Sequence, residues 1–184
     1  GGFGGYYTFI SFLLLIGNYY FEKYPEWNSK GDHTGIILLH YCNPIKDITF
    51  AGFWTLIIGI SNRIPGLLKT EPYKIYHCWK KEQIRLVIRN NKVRKIWLFG
   101  HGKYRGIGTD EGLLDYSEFR GSENKDFIAQ MHCNTGGGKS LVDYVIQNPN
   151  KNNSIVKKGL NFPITNWLII KNYLKDRNLG IREI

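Results

Sequence analysis

An α/β domain, with a mainly parallel sheet and helices on both faces, is what this chain of 184 residues predicts, preceded by an apolar N-terminal segment. Three observations carry that expectation. Residues 35–42, 73–78, 95–99 and 127–131 form four short runs with the length and side-chain types of strands. Each run is apolar nearly throughout rather than alternating, as strands covered on both faces are. Helix-like or loop segments separate them, in the order strand–helix–strand–helix–strand–loop–strand–helix, which implies a parallel sheet joined by right-handed crossovers. The length fits one domain plus an appendage, and burial of about two thirds of the unfolded surface. The expected division is 1–28 for the apolar segment and linker, and 29–184 for the α/β domain.

Residues 6–21, YYTFISFLLLIGNYYF, carry no charge. With the preceding GGFGG they make about 21 uncharged residues, enough to cross a bilayer as a helix. Tyr6, Tyr7, Tyr19 and Tyr20 would then mark the two interfaces. No basic region precedes the run, which argues against a secretory leader. A membrane anchor is the expectation, with a helix or hairpin packed on the domain as the alternative. Residues 22–33, EKYPEWNSKGDH, read as a linker.

GIILLHYC (35–42) is the first strand. FAGFWTLIIGI (50–60) is apolar on nearly every side and reads as a crossover helix ended by Pro65-Gly66. YKIYHC (73–78) is the second strand. In the following WKKEQIRLVIRNN, Ile84, Val87 and Ile88 fall at helical spacing. Lys81, Arg85 and Arg89 share another face of that helix; it is either solvated or rests on anionic lipid. KIWLF (95–99) and FIAQM (127–131) are the third and fourth strands. The tail contains a second amphipathic pattern starting at Pro163 or Thr165.

The formal charge of +10 and pI near 9.5 raise nucleic acid or anionic lipid as partners. No zinc-finger spacing or aromatic RNA-binding motif accompanies the charge, so no nucleic-acid partner is expected. Three cysteines without repeated spacing do not make a disulfide framework. A reducing, cytoplasmic setting is the simpler expectation.

The chemistry concentrates where two apolar runs stop. KIWLFGHG ends in His101 and DFIAQMHCNTGGG in Cys133, each close to glycine. Catalytic and ligand-binding groups collect at the carboxyl ends of parallel strands. A thiol attacks as thiolate, which a nearby imidazole generates at neutral pH. The bare amide of Gly102 is suited to face a developing oxyanion, together with the amide of Cys133. The segment after Cys133 reads as a glycine turn opening a helix, whose positive end would favour thiolate.

The pattern strand–His–Gly, then GLLDYSEF, then strand–Cys–Asn–Thr–Gly resembles the caspase–hemoglobinase fold of cysteine peptidases. Among these it is most similar to the CHAT branch, over roughly residues 35–146. In that family the catalytic histidine follows the third strand and the cysteine the fourth. The resemblance therefore implies a cysteine endopeptidase with a His101–Cys133 dyad, a peptide or protein substrate and no cofactor. The acids Asp110, Glu111 and Asp115 are available to recognise a basic side chain.

Two other readings use the same residues. CNTGGGKS approximates the phosphate-binding G-x-x-x-x-G-K-[ST], with Cys133 in place of the first glycine. Gly136, Gly137, Gly138, Lys139 and Ser140 would then cradle the phosphate of a nucleotide. The pairs His40/Cys42, His77/Cys78 and His132/Cys133 offer soft ligands at three strand ends. Neighbouring strand residues point to opposite faces, however, so the six do not converge, and no metal is expected. A non-catalytic, membrane-associated protein with the same fold is the remaining alternative.

Overall fold

The computed structural model describes residues 4, 5, 8, 31–52, 73–122, 124–132, 139–150 and 152–156. Its larger sheet has five strands: β1 (His33–Leu39), β2 (Tyr73–Cys78), β3 (Val93–Phe99), β7 (Phe127–Met131) and β8 (Ser154–Val156). Their order is β2-β1-β3-β7-β8, and every neighbouring pair is parallel. Strand by strand this is the 2-1-3-4-5 doubly wound order, whose switch point lies between β1 and β3. The four expected strands are all present, within a few residues of their predicted ends. β8 has only three residues and was not expected.

The missing alternation has a direct cause. Ile37 and Leu39 of β1 lie on one face with Ile96 and Leu98 of β3 and Ile128 of β7. They share one core with Ile84, Val87 and Ile88 of α2 (Lys81–Arg89) and with Val142 and Val145 of α3 (Val142–Val145). On the opposite face Ile36, Leu38, Trp97, Phe99 and Met131 are buried as well. Helices thus cover the first face. The crossover helix expected over 50–60 lies largely outside the described residues, as do the tail helix from Pro163 and the apolar run 6–21 apart from Thr8. No helix among the described residues is long and apolar enough to cross a membrane.

Two expectations need correction. The stretch between His101 and the fourth strand is not a simple loop. It forms a second, antiparallel sheet of β4 (His101–Lys103), β5 (Gly106–Thr109) and β6 (Gly112–Asp115), followed by a 3-10 turn, Tyr116–Phe119. Gly112 takes φ +98° in the β5–β6 turn, a conformation side chains resist. The helix after the glycine run is a single turn, four residues long. Its dipole adds little, because the macrodipole depends on aligned peptides over several turns.

The basic stripe of α2 also has protein partners. Arg85 Nε donates to Glu118 Oε2 at 2.8 Å, and Arg89 Nη2 to the Glu118 carbonyl at 3.5 Å. The Lys81 amide donates to Glu111 Oε2 at 2.9 Å. The stripe therefore faces the acids of the small sheet and its 3-10 turn.

Candidate active site at the sheet's carboxyl edge

β3 ends at Phe99, and Gly100 turns the chain into β4, which starts at His101. The backbone passes close to its neighbours at Gly100: a Cβ there would lie 2.6 Å from Ile107 Cδ1, which would have to move, and 3.2 Å from Leu39 Cβ. The chain thus passes between the end of β1 and the small sheet, delivering His101 to the switch point. There the His101 amide donates to the hydroxyl of Tyr41 at 2.7 Å, and that hydroxyl donates to the Gly108 carbonyl at 3.0 Å. His101 is half-buried, and burial lowers its pKa, with the charges of Lys46 and Lys103 adding to the effect. Its imidazole is neutral at pH 7, the form that accepts a proton.

Gly102 is buried in β4 opposite Ile107. In an antiparallel ladder successive amides point to opposite sides. The His101 amide is aimed at Tyr41 and Gly108, so the Gly102 amide points off the outer edge of β4.

The register places the second strand end. Phe99 of β3 pairs with Met131 of β7. His101 and Cys133 therefore each lie two residues past a paired position on adjacent parallel strands. Cys133 itself and Gly136, Gly137 and Gly138 lie outside the described residues. The flanks of that segment are firmly tied. His132 is buried and its Nε2 lies 2.6 Å from the Tyr116 hydroxyl. Gln130 Oε1 accepts from the Val142 amide at 3.3 Å.

Lys139 and Ser140 are described. The Ser140 amide and hydroxyl both donate to Asp143 Oδ2, at 2.6 and 3.0 Å. The Lys139 ammonium lies 6.0 Å from the Tyr144 ring centre. Asp143 thus occupies the amide and hydroxyl of Ser140, two of the donors that a phosphate cradle would use.

The acids considered for substrate recognition are engaged within the fold. Asp110 Oδ2 accepts from the Cys42 amide at 2.5 Å, and its other oxygen lies 4.0 Å from Lys46 Nζ. Glu111 caps α2 as described, and Asp115 accepts from the Ser117 amide at 2.9 Å.

A second cluster, which sequence reasoning missed, stands at the ends of β1 and β2. Asp47 Oδ1 accepts from His40 Nδ1 at 3.0 Å and from the Tyr41 amide at 2.8 Å. His40 Nε2 meets His77 Nδ1 at 2.7 Å, and the Trp79 ring stacks on His40 at 4.4 Å. An ionised carboxylate only accepts, so His40 carries a proton on Nδ1. Asp47 sits in α1 (Pro44–Asp47), which Asn43 caps by accepting from the Lys46 amide at 3.1 Å. The Asn-Pro start of that turn was the available signal. Since the two imidazoles bond to each other, they are not arranged as joint metal ligands. Among the described residues no three His, Cys, Asp or Glu side chains are grouped to hold a metal ion.

Comparison with known protein families, curated proteins and solved structures gave no match. The functional reading therefore rests on the geometry.

Proposed function

We propose that this chain is a cysteine peptidase domain of the caspase-like type, with Cys133 as nucleophile and His101 as its base. The observation that carries the reading is the Phe99–Met131 register. In sequence, His101 and Cys133 each follow that paired position by two residues, and reactive groups collect at this end of a parallel sheet. In chain order His101 follows the third strand of the large sheet and Cys133 the fourth, as the resemblance implies.

His101 is a neutral imidazole that takes the thiol proton of Cys133. The thiolate attacks the scissile carbonyl carbon, and His101 returns the proton to the departing amine. The Gly102 amide, aimed off the edge of β4, and the Cys133 amide receive the oxyanion. Water then hydrolyses the thioester and regenerates the thiol.

The test is thiol reactivity. Burial pushes the Cys78 thiol up to about 12, and the hydrogen bond to Asp110 raises that of Cys42. A dyad places Cys133 below the free-thiol value of roughly 8.5. At pH 7 iodoacetamide should alkylate Cys133 first, and His101→Ala should slow that step while Lys139→Ala leaves it unchanged. Equal labelling of Cys42 and Cys133, insensitive to His101, would overturn the reading. Loss of inorganic-phosphate binding in Lys139→Ala would instead favour the nucleotide-binding alternative.

A further inference from the structure

We propose that the Asp47–His40–His77 chain is an acid-operated latch. It ties the carboxyl ends of β1 and β2 to α1 while the two imidazoles share one proton, and it opens once each ring must hold its own. The inference is independent of the dyad reading.

The bonds leave the pair little freedom. His40 is 1% exposed and Asp47 2%. The carboxylate accepts from His40 Nδ1 at 3.0 Å, which fixes a proton on that nitrogen. His40 Nε2 and His77 Nδ1 face each other at 2.7 Å, with ring centres 5.0 Å apart. A contact that short between two nitrogens holds a single proton, whichever ring carries it. The last nitrogen, His77 Nε2, is buried without a hydrogen-bond partner.

Counting protons defines the states. With two, the pair is neutral and His77 Nε2 is an unused buried acceptor. With three, one positive charge is shared beside Asp47, and Nε2–H is an unused buried donor. With four, both facing nitrogens carry hydrogen, so the 2.7 Å contact is lost and two like charges stand side by side. The closed latch therefore carries one charge at most. Opening separates the charges and gives His77 Nε2 to water, relieving a buried polar atom that has no partner.

The surroundings do not balance a second charge. Among the described residues, Lys46 of α1 lies 4.0 Å from the Tyr41 ring centre and 4.0 Å from Asp110 Oδ1 of the β5–β6 turn. On β2 the Cys78 thiol donates to the Tyr76 carbonyl at 3.8 Å, and the Tyr76 hydroxyl meets His33 Nε2 at 2.7 Å. The Trp79 ring stacked on His40 is uncharged, as is Gln83 of α2, which accepts from the Trp79 amide at 2.7 Å. Asp47 is the carboxylate bonded to the pair, and it offsets one proton. Burial and then the charge of His40 oppose the next, which enters His77 only near pH 3.

The test follows the histidine nitrogens of the full chain by nitrogen-15 NMR, from neutral pH to below pH 3, together with backbone hydrogen exchange. At neutral pH His40 Nε2 and His77 Nδ1 should show scalar coupling through their shared proton. On acidification that coupling should vanish and the Trp79 indole signal should shift, while the amides of Ile96, Leu98 and Ile128 keep their protection. Absence of the coupling at neutral pH overturns the proposal. So does its survival until those amides lose protection, because the pair then parts only when the sheet unfolds. His77→Gln offers His40 an amide that gains no charge, so the local acid step should disappear. Its persistence in that variant assigns the step to another group and overturns the latch. If His77→Gln does not fold, the titration of the unaltered chain decides alone.

Discussion

His77 is held neutral by different surroundings from those of His101. Burial and, after it, the adjacent His40 lower its pKa from an ordinary 6.5 to about 3, with Asp47 opposing. Between those two values the unfolded chain binds a proton that the folded chain refuses. Stability is therefore complete above pH 6.5 and falls as the pH drops towards 3. The loss across that window is on the order of a few kcal/mol. Urea unfolding at successive pH values should show this acid limb, and His77→Gln should flatten it. An unaltered slope in His77→Gln would place the acid sensitivity elsewhere. His40 and His77 were visible in the sequence only as residues at strand ends. Their bond joins positions 37 apart through Leu38↔His77 pairing of β1 and β2, and no local pattern encodes that.

Among the elements, α2 separates packing from charge. Ile84 and Ile88 are fully buried in the core, whereas Arg85 and Glu118 keep 25% and 33% of their side chains exposed. Ile88→Ala should cost about 2–5 kcal/mol, from lost burial and the cavity left behind. Arg85→Ala should cost less than about 1 kcal/mol, because exposed ion pairs are weak. Chemical denaturation of both variants checks the contrast; equal losses would mean that the Arg85–Glu118 bond carries the docking of the 3-10 turn. The same helix shows what sequence periodicity delivers: Ile84, Val87 and Ile88 were legible because their spacing repeats within one element. The small sheet was not legible, because strands of three and four residues are too short to display alternation. Its burial depends on contact with β1 and α2 rather than on its own pattern. Glu118, which meets Arg85 and Arg89, and Glu111, which accepts from the Lys81 amide, lie in that same stretch, so the face looked solvated.

Across the whole molecule, an ion pair and a buried ammonium stand at the end of the parallel sheet opposite to the candidate site. The amino ends of β3 and β7 are fastened by Arg94, whose Nε and Nη2 reach Asp126 at 3.0 and 2.5 Å. Beside them the buried Lys125 ammonium donates to the Asn90 carbonyl at 2.8 Å, closing the end of α2. The carboxyl ends hold Tyr41, His101 and His132. Apolar continuity made the strands readable, and the strand ends pointed to His101 and Cys133. The Phe99–Met131 register and the partners of the Tyr41 hydroxyl arise only when separate strands meet. One consequence follows from this separation. Lys125→Ala removes one hydrogen bond to the Asn90 carbonyl, which keeps the Val93 amide as a donor, and should lower stability by about 0.5–1.5 kcal/mol. The site lies at the far end of strands five and seven residues long, at roughly 3.3 Å per residue, beyond the Debye length of about 10 Å in 0.1 M salt. Lys125→Ala should therefore leave the rate of Cys133 alkylation unchanged in buffer where it remains folded. His101→Ala should do the reverse, keeping the urea midpoint nearly constant while slowing alkylation. If Lys125→Ala slows alkylation as much as His101→Ala does, thiol reactivity belongs to the stability of the sheet as a whole, and a locally built dyad is the wrong account.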